Sequence, residues 1–346
     1  MTPRRPRRRL AALAAAFACG AAPAPAAAFD ARGHAAIGAV ADRLVAGTPA
    51  AARVRELLHG RTLAEAAVWA DCAKGVRSDD GEHFRYEPRG GECRIFETED
   101  GIAAMTRYVR RNWTQCGDAA GSQMCHHRYH YADLSTLRAR YDARATGASD
   151  HDVVHAIAAS AAAAACGETP RPFDFADPGE ALRVLAHVVG DLHQPLHLQS
   201  PWLAADGRVL DPDAPGGPRA FASEGGNRIA AGDATLHALW DAVDPAWSRP
   251  GPELDRLATL AAGVPRPPGG PAAWPQAWAD DVMRSSRAAF APLAFAPDGE
   301  RRWQARGVDR DYLQAVQALK RREIAAAGAR LAQMVVATLP GRCEAR

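Results

Sequence analysis

The segment from His187 to His197 constrains the fold of this chain more than any other feature of its sequence. His187 and Asp191 stand four residues apart, so both side chains lie on one face of a helix. The apolar neighbours that direct this face towards the core are Val184, Val188 and Leu192. A divalent cation can satisfy a buried histidine and aspartate together, whereas an unpaired buried charge is expensive. Pro195 then disrupts the helix end, which turns His197 to a different point.

Further histidines and aspartates occupy positions that face the predicted core. His237 and Asp241 repeat the four-residue spacing, and Asp71 ends an apolar helix face. His34 lies on the inner face of the first predicted helix, and His130 belongs to the string 129–133. Each residue alone has an ordinary structural explanation, such as a hydrogen-bonded pair or a satisfied core histidine. Their joint occurrence in a chain without a CxxC motif predicts a metal centre, and imidazole with carboxylate suits zinc.

Residues 1–28 have the pattern of a secretory signal. Five arginines precede an apolar run over residues 10–22, and alanines 26–28 form a small-residue cleavage site. Cleavage there makes Phe29 the first residue of an exported protein, periplasmic or secreted. Because residues 1–28 carry five arginines and no acidic residue, the formal net charge changes from +2 to −3. Any nucleic-acid binding must then come from a local site. Nothing later in the sequence predicts a membrane span.

Six cysteines remain after that cleavage, and an even number in an exported chain suggests disulfides. We favour a bond between Cys116 and Cys125, which would close a short glycine-containing loop. The other two expected pairs are Cys72 with Cys93 and Cys166 with Cys343.

Helical periodicity dominates the chain, so we predict an all-α fold: a single mainly helical domain over residues 29–346 with long Pro/Gly-rich loops. The predicted helix starts are Thr62, Ser149 to Asp152, Asp177, and Asp233 or Thr235. A long final helix is expected from about Asp311 to Leu339. We interpret residues 76–132, 198–232 and 247–275 as loops, and residues 264–271 as the boundary of a two-domain alternative.

At these motifs the sequence resembles the secreted zinc-dependent single-strand-specific nucleases of fungi and plants, the class I nucleases, with their bacterial relatives. A more distant kinship is with bacterial zinc-dependent phospholipase C. The resemblance runs from Phe29 to the final helix, and it implies a mainly helical fold around three zinc ions. It is carried by Gly33-His34, Trp69-Ala70-Asp71, His130-Tyr131, the segment His187 to His197, Gly225-Gly226-Asn227, Leu236-His237 to Asp241, and Ala327-Gly328-Ala329-Arg330-Leu331-Ala332.

The resemblance implies three sets of zinc ligands. They are Asp71, His130, His187 and Asp191 for one ion, His197, His237 and Asp241 for a second, and His34, Asp191 and the backbone amino and carbonyl groups of Phe29 for a third. Asp191 would thus serve two ions, and His193 would orient ligands by hydrogen bonding. The stretch before His130 is longer than in fungal members, so His83, His126 and His127 compete with it; the order of residues 129–133 favours His130.

The same resemblance implies an endonuclease that cleaves single-stranded DNA and RNA to 5′-phosphate products and acts on 3′-nucleotides. Asp71 would orient or deprotonate the attacking water, and Lys74, where many members carry arginine, would neutralise charge on the phosphate. Tyr131 would stack a base, unless it only packs in the core, and Asp133 would bind the base edge. Asn227 is expected in the same substrate site.

Two alternatives share the predicted metal centre. One is a phospholipase C-like phosphodiesterase, which an apolar lipid-docking surface would favour. The other is a non-catalytic periplasmic zinc-binding protein, which would bind zinc without phosphodiester turnover. No stable protein partner and no membrane association are expected.

Overall fold

A computed structural model of the chain describes residues 29–116 and 124–339. The predicted signal segment, residues 1–28, and Cys343 lie outside these ranges. About half of the described residues are helical, and the strands are short. The prediction of a mainly helical fold is therefore confirmed.

Thirteen α-helices lie within the described ranges. In chain order they are α1 Ala31–Val45, α2 Pro49–Leu57, α3 Leu63–Ala66, α4 Trp69–Ala73, α5 Glu99–Arg111, α6 Cys125–Arg128, α7 Val153–Ala164, α8 Pro178–Leu192, α9 Pro195–Leu198, α10 Leu236–Asp241, α11 Pro252–Ala262, α12 Trp274–Phe290 and α13 Arg310–Thr338.

The predicted helix starts are confirmed by their capping hydrogen bonds. Thr62 and Glu65 form a reciprocal capping box at the start of α3. Asp152 caps α7, Asp177 caps α8 ahead of a proline at its first position, and Thr235 caps α10. The helix expected to run from Thr62 through Asp71 is instead two short helices, α3 and α4, because the chain turns at residues 67–68.

Helix α8 lies at the centre of the fold and packs against α7, α13, α3, α4 and α1. Its last turns are buried on all sides, so polar side chains there have no access to bulk water. Gly190 allows the closest approach to α1: a Cβ at this position would lie 2.7 Å from His34 Nδ1. This tight crossing brings His34 of α1 against the His187–Asp191 face of α8.

Ten short strands accompany the helices in the described ranges. They are β1 Val76–Arg77, β2 Arg85–Tyr86, β3 Leu134–Ser135, β4 Gln199–Ser200, β5 Trp202–Leu203, β6 Phe221–Ala222, β7 Ile229–Ala231, β8 Ala234–Thr235, β9 Ala294–Pro297 and β10 Trp303–Arg306.

Four of these strands form a mixed sheet in the order β8-β7-β10-β9, in which only β7 and β10 run parallel. Trp303 pairs with Ile229 in the parallel register. The remaining strands form the two-stranded pairs β1-β2, β3-β4 and β5-β6. An apolar cluster around Trp240 and Trp303, separate from the main core between the helices, covers the sheet. Strands of two to four residues are too short to show the alternation that sequence analysis uses, so the sheet was not predicted.

The loop interpretation was wrong for parts of all three stretches. Residues 76–132 contain α5, α6 and the β1-β2 hairpin, residues 198–232 contain strands, and residues 247–275 contain α11. Helix α5 buries only Met105, Tyr108 and Val109, and it lies in a stretch whose Gly, Pro and charged residues favoured a loop. Helices α11 and α12, on either side of residues 264–271, both pack on α13, which argues against a domain boundary there.

Two of the expected disulfides are confirmed, Cys72–Cys93 and Cys116–Cys125. Cys166 is also disulfide-bonded, and its expected partner Cys343 lies outside the described residues. Within the described ranges, none of the helices has the length and apolar character needed to cross a bilayer.

Candidate metal centre

Three groups of buried histidines and aspartates meet where α1, α4, α8, α9 and α10 converge. Within each group, one nitrogen or oxygen atom of every residue lies within 4.8 Å of those of the others. The groups are His34, His187 and Asp191; Asp71, His130 and His187; and His197, His237 and Asp241. All eight side chains expected to bind zinc are thus brought together.

Asp191, in the last turn of α8, lies at the centre of this arrangement. Its Oδ2 is 2.9 Å from His130 Nδ1 and 3.3 Å from His187 Nε2, while its Oδ1 is 3.4 Å from His34 Nε2. Burial raises the pKa of this carboxyl, but the neighbouring His187 and His130 outweigh burial and hold its pKa well below the usual range. Asp191 is therefore an anion that belongs to one group and lies against His130 of a second.

Asp71 lies in the short helix α4 beside the same histidines. Its Oδ1 is 3.6 Å from His187 Nε2 and 2.7 Å from Lys74 Nζ. Burial raises the pKa of Asp71, and the charge of Lys74, together with the neighbouring histidines, lowers it further than burial raises it. Lys74, one turn after Asp71, places its charged ammonium group at the edge of the centre. Only a small part of its side chain is exposed.

The third group joins α9 to α10. His197 Nε2 lies 3.2 Å from His237 Nε2, which in turn lies 3.4 Å from Asp241 Oδ2. Burial raises the pKa of Asp241 well above its usual range. Because the surrounding hydrogen bonds and charges do not offset the burial of this carboxyl, it needs a nearby cation to stay ionised.

The orientation of the imidazole rings shows whether this donor set fits a metal ion. The Nδ1 atoms of three rings donate to main-chain carbonyls: His187 to Ala67 at 2.6 Å, His197 to His130 at 2.8 Å and His237 to Gly225 at 2.7 Å. Their Nε2 lone pairs therefore point into the centre. Burial lowers the pKa of His187 well below its usual range and lowers that of His197 to about 3 and that of His237 to about 4.

Neutral rings held in this tautomer are the form in which histidine binds metal. The close approach of two Nε2 lone pairs, in His197 and His237, is unfavourable unless a cation lies between them. His34 supports the same conclusion, because both of its ring nitrogens are buried without a hydrogen-bond partner among the described residues. Buried nitrogen and carboxylate donors without thiolates fit zinc.

Phe29 and His193 are not among the eight side chains that form the three groups. Phe29 is buried at the start of α1, and the next residue, Asp30, donates its backbone N–H to the Asp241 carbonyl at 3.0 Å. This contact places the backbone of residues 29 and 30 beside α10. His193 faces away from the ligand side chains: its Nδ1 lies 2.7 Å from the Val189 carbonyl and its Nε2 2.9 Å from Arg330 Nη1.

The fold gives different surroundings to the four histidines that competed for one ligand position. Among the described residues, His130 alone of the four belongs to a metal-binding group. His83 is exposed and paired with Asp80. His126 is buried against Trp113, and His127 lines the cavity described next.

A cavity of about 400 Å³ opens above the metal centre. Its walls include His130, His197 and His237 from the metal groups, Lys74, and the three residues expected to bind substrate, Tyr131, Asp133 and Asn227. Tyr131 is 40% exposed, so it is not a core residue.

Asp133 and Asn227 are held by the glycine-rich turn that carries Gly225. Asp133 Oδ1 accepts the Gly225 N–H at 3.1 Å, and burial raises the pKa of this carboxyl to about 6. Asn227 Nδ2 donates to the Glu224 carbonyl at 2.9 Å. Since Gly225 also accepts the His237 hydrogen bond, the substrate residues and the His197–His237–Asp241 group share one support.

Three further residues support the centre, and no role was predicted for any of them. Gln194 Nε2 donates to Asp241 Oδ1 at 2.7 Å, and its place in the His187–His197 segment was a signal that could have found it. Lys320, buried in α13, donates to the carbonyls of Leu239 and Ala242 at 2.7 Å each and so caps the C-terminus of α10. Arg330 lies in the same long helix. Nothing in the sequence separates Lys320 from the other charges of α13, whereas Arg330 lies in the stretch Ala327 to Ala332 that carries part of the family resemblance.

A family model described as S1/P1 Nuclease matches residues 29–340, nearly the whole chain. A search of curated proteins found no match.

Proposed function

This chain belongs to the S1/P1 nuclease family, whose members are phosphodiester hydrolases, and from that premise we propose that it is a zinc-dependent endonuclease. We propose further that it cleaves single-stranded DNA and RNA to 5′-phosphate products and dephosphorylates 3′-nucleotides. The observation that supports this most directly is one cavity lined both by metal-group histidines and by Tyr131 and Asp133.

The residues that would hold three zinc ions are proposed from the geometric groups and from the family. Asp71, His130, His187 and Asp191 would hold the first, and His197, His237 and Asp241 the second. His34 and Asp191, with the backbone of Phe29, would hold the third. Zinc bound at these positions would supply a water of lowered pKa and positive charge for the phosphate.

The chain's own residues then position the reacting groups. The Asp71 carboxylate, kept ionised by Lys74, can accept a hydrogen bond from the attacking water and orient it. Lys74 Nζ is close enough to the cavity to neutralise the charge that develops on the phosphate oxygens. Both groups are in place before substrate arrives, so little reorganisation is required.

The preference for single strands is proposed from the base site. Tyr131 offers an exposed ring at the cavity wall, and stacking on such a ring contributes ~1–3 kcal/mol per base for any sequence. A base that stacks on protein must be unpaired. The nucleoside bound here lies next to the His197–His237–Asp241 group, so we assign its 3′-oxygen as the leaving group.

We also propose export from the cytoplasm, followed by cleavage before Phe29. The two disulfides of the described residues fit an oxidising compartment. The resulting α-amino group would lie beside α10, where Asp30 contacts Asp241.

The proposed function is tested by elemental analysis together with digestion of matched substrates. We expect about three zinc ions per chain, rapid cleavage of a single-stranded oligonucleotide and slow cleavage of the same sequence as a duplex. Products should carry 5′-phosphate, and a chelator should abolish turnover. The exposed variant His83→Ala serves as a control that keeps wild-type activity.

Two results would contradict the proposal. Hydrolysis of phosphatidylcholine vesicles without oligonucleotide cleavage would indicate the phospholipase C-like alternative. Full zinc content with no phosphodiester turnover on any of these substrates would indicate a zinc-binding protein.

A further inference from the structure

The cavity above the metal centre is lined by charges of opposite sign at two places along its wall. At one place Asp133 and Glu224 line the wall beside Tyr131. Burial and the charges of these two carboxylates raise the pKa of the Tyr131 hydroxyl. At the other place Lys74 and Arg77 lie near His127. Burial and the charges of these cations lower the pKa of His127 to about 2. Arg89 completes what we call the cationic cluster: Lys74, Arg77 and Arg89.

The cationic cluster is built by a close approach between two chain segments. The chain after β2 runs directly over Gly75, which follows Lys74, and Glu87 donates its N–H to the Gly75 carbonyl at 2.8 Å. A Cβ at position 75 would lie 2.7 Å from the Glu87 carbonyl oxygen and 3.1 Å from Arg89 Cγ. Glycine at this position therefore lets Arg89 lie beside Lys74.

The backbone of Arg89 is fixed while its side chain is uncommitted. Glu97 Oε1 accepts the N–H groups of Arg89 at 2.6 Å and Gly90 at 3.0 Å, and the Tyr86 hydroxyl at 3.0 Å. Within the described residues the Arg89 guanidinium makes no hydrogen bond or ion pair. Arg77 has only a distant carboxylate, 3.7 Å from Glu87. Two guanidinium groups at the cavity wall are thus available for an anion.

We propose that Arg77 and Arg89 form a subsite for the phosphate next to the cleaved bond on its 3′ side. This inference rests on the proposed function. The base site adjoins the His197–His237–Asp241 group through Gly225, whereas the cationic cluster adjoins Asp71 through Lys74. A strand whose 5′ nucleoside occupies the base site therefore continues past the scissile phosphate towards Arg77 and Arg89. Guanidinium groups bind phosphate through paired N–H donors.

The test compares two single-stranded trinucleotides in zinc-loaded enzyme. Both have a natural first linkage; the second linkage is a charged phosphodiester in one and a neutral methylphosphonate in the other. Release of the 5′-terminal nucleoside reports cleavage of the first linkage alone. The measured quantity is the kcat/KM of the charged substrate divided by that of the neutral one. We expect about three- to tenfold in the wild type, the scale of a partly solvated charge-assisted hydrogen bond.

Arg89→Gln should lower this ratio towards one, and Arg89→Lys should restore part of it. Arg306→Gln, an equal change of charge at an exposed position outside the cavity, should keep the wild-type ratio. Equal thermal unfolding of the three variants shows that folding is intact. A wild-type ratio in Arg89→Gln would overturn the subsite. The same conclusion would follow if Arg89→Gln changed the ratio only for a neutral linkage placed on the 5′ side of the cleaved bond.

Binding to chelated protein gives a readout that needs no turnover. The slope of log Kd against log salt for the charged trinucleotide should fall by about 0.7 in Arg89→Gln, the value for one phosphate contact on a single strand. An unchanged slope would contradict the subsite. If the zinc-loaded wild type cleaves neither trinucleotide, the proposed function itself fails, and this inference fails with it.

Discussion

Gln194 Nε2 donates a hydrogen bond of 2.7 Å to Asp241 Oδ1. Gln194 follows α8 and Asp241 ends α10, so one amide side chain joins two of the helices that hold the metal groups. The side-chain oxygen Oε1 of Gln194 also accepts the Leu196 N–H at 2.6 Å, which shapes the turn into α9 and His197. Both hydrogen bonds of Gln194 therefore help to position residues of the His197–His237–Asp241 group.

Replacing Gln194 with methionine should therefore lower zinc content by about one ion per chain. The change keeps side-chain volume but leaves two buried groups unpaired, at about 1–3 kcal/mol each in the free energy of unfolding. Gln333→Met is the matched control, since within the described ranges Gln333 donates only to the Val264 carbonyl, away from the metal groups. Elemental analysis and thermal unfolding measure both effects; full zinc content in Gln194→Met would show that Asp241 is positioned without it.

Asp191→Ala should be the most damaging single substitution. Asp191 belongs to one group directly and approaches His130 of another at 2.9 Å, so its loss should remove more than one zinc ion. Activity should fall by more than about a hundredfold, because even residues that only orient ligands cost 10–100-fold. The exposed Asp206→Ala is the control. Retained activity with three zinc ions in Asp191→Ala would place the shared ligand elsewhere.

His130→Ala should lower zinc content and abolish turnover, unlike substitution of the three neighbouring candidates. His83 is exposed, so His83→Ala should resemble wild type in zinc content, turnover and thermal unfolding. His126 packs against Trp113, so His126→Ala should lower thermal stability yet keep zinc. His127→Ala should also keep zinc. Loss of zinc in His83→Ala or His127→Ala instead would contradict the assignment.

Binding of bases with exocyclic amino groups should strengthen as pH rises through about 6. Burial raises the pKa of Asp133 to about 6, so this carboxyl is mainly protonated below that pH and ionised above it. The ionised form is the better hydrogen-bond acceptor, worth about tenfold in KM. The KM of an adenine oligonucleotide should therefore fall between pH 5 and 7 in the wild type. Asp133→Asn should remove this dependence; an identical pH profile in the variant would assign it to another group.

A protein made with one extra residue before Phe29 should bind fewer zinc ions and lose most of its activity. Phe29 is buried, and the backbone beside it contacts α10, so the free α-amino group is expected to complete the third ligand set. An α-amino group has a pKa near ~7.7–8.0, and zinc can displace its proton at neutral pH. Circular dichroism should show an unchanged fold. Three zinc ions and full activity in the extended protein would refute a role for this terminus.

Helix starts and the main metal-binding segment were predictable because both depend on local chemistry. A capping box at Thr62, a capped proline start at Asp177 and the four-residue spacing of His187 and Asp191 act within one or two turns of helix. The strands were not predictable, because segments of two to four residues are stabilised by neighbours distant in the chain. Helix α5 was missed for a related reason: only three of its thirteen residues are buried, so it lacks a long apolar face.

The sequence by itself determined which residues are available to bind metal and which helices carry them, since spacing on a helix decides which side chains share a face. Only the tertiary structure decided how those faces meet. The crossing of α1 and α8 at Gly190 brings His34 against His187, with ring centres 3.8 Å apart. Lys320 caps α10 from a helix about eighty residues later. Such contacts depend on the packing of distant segments, and the order of residues along one chain does not reveal them.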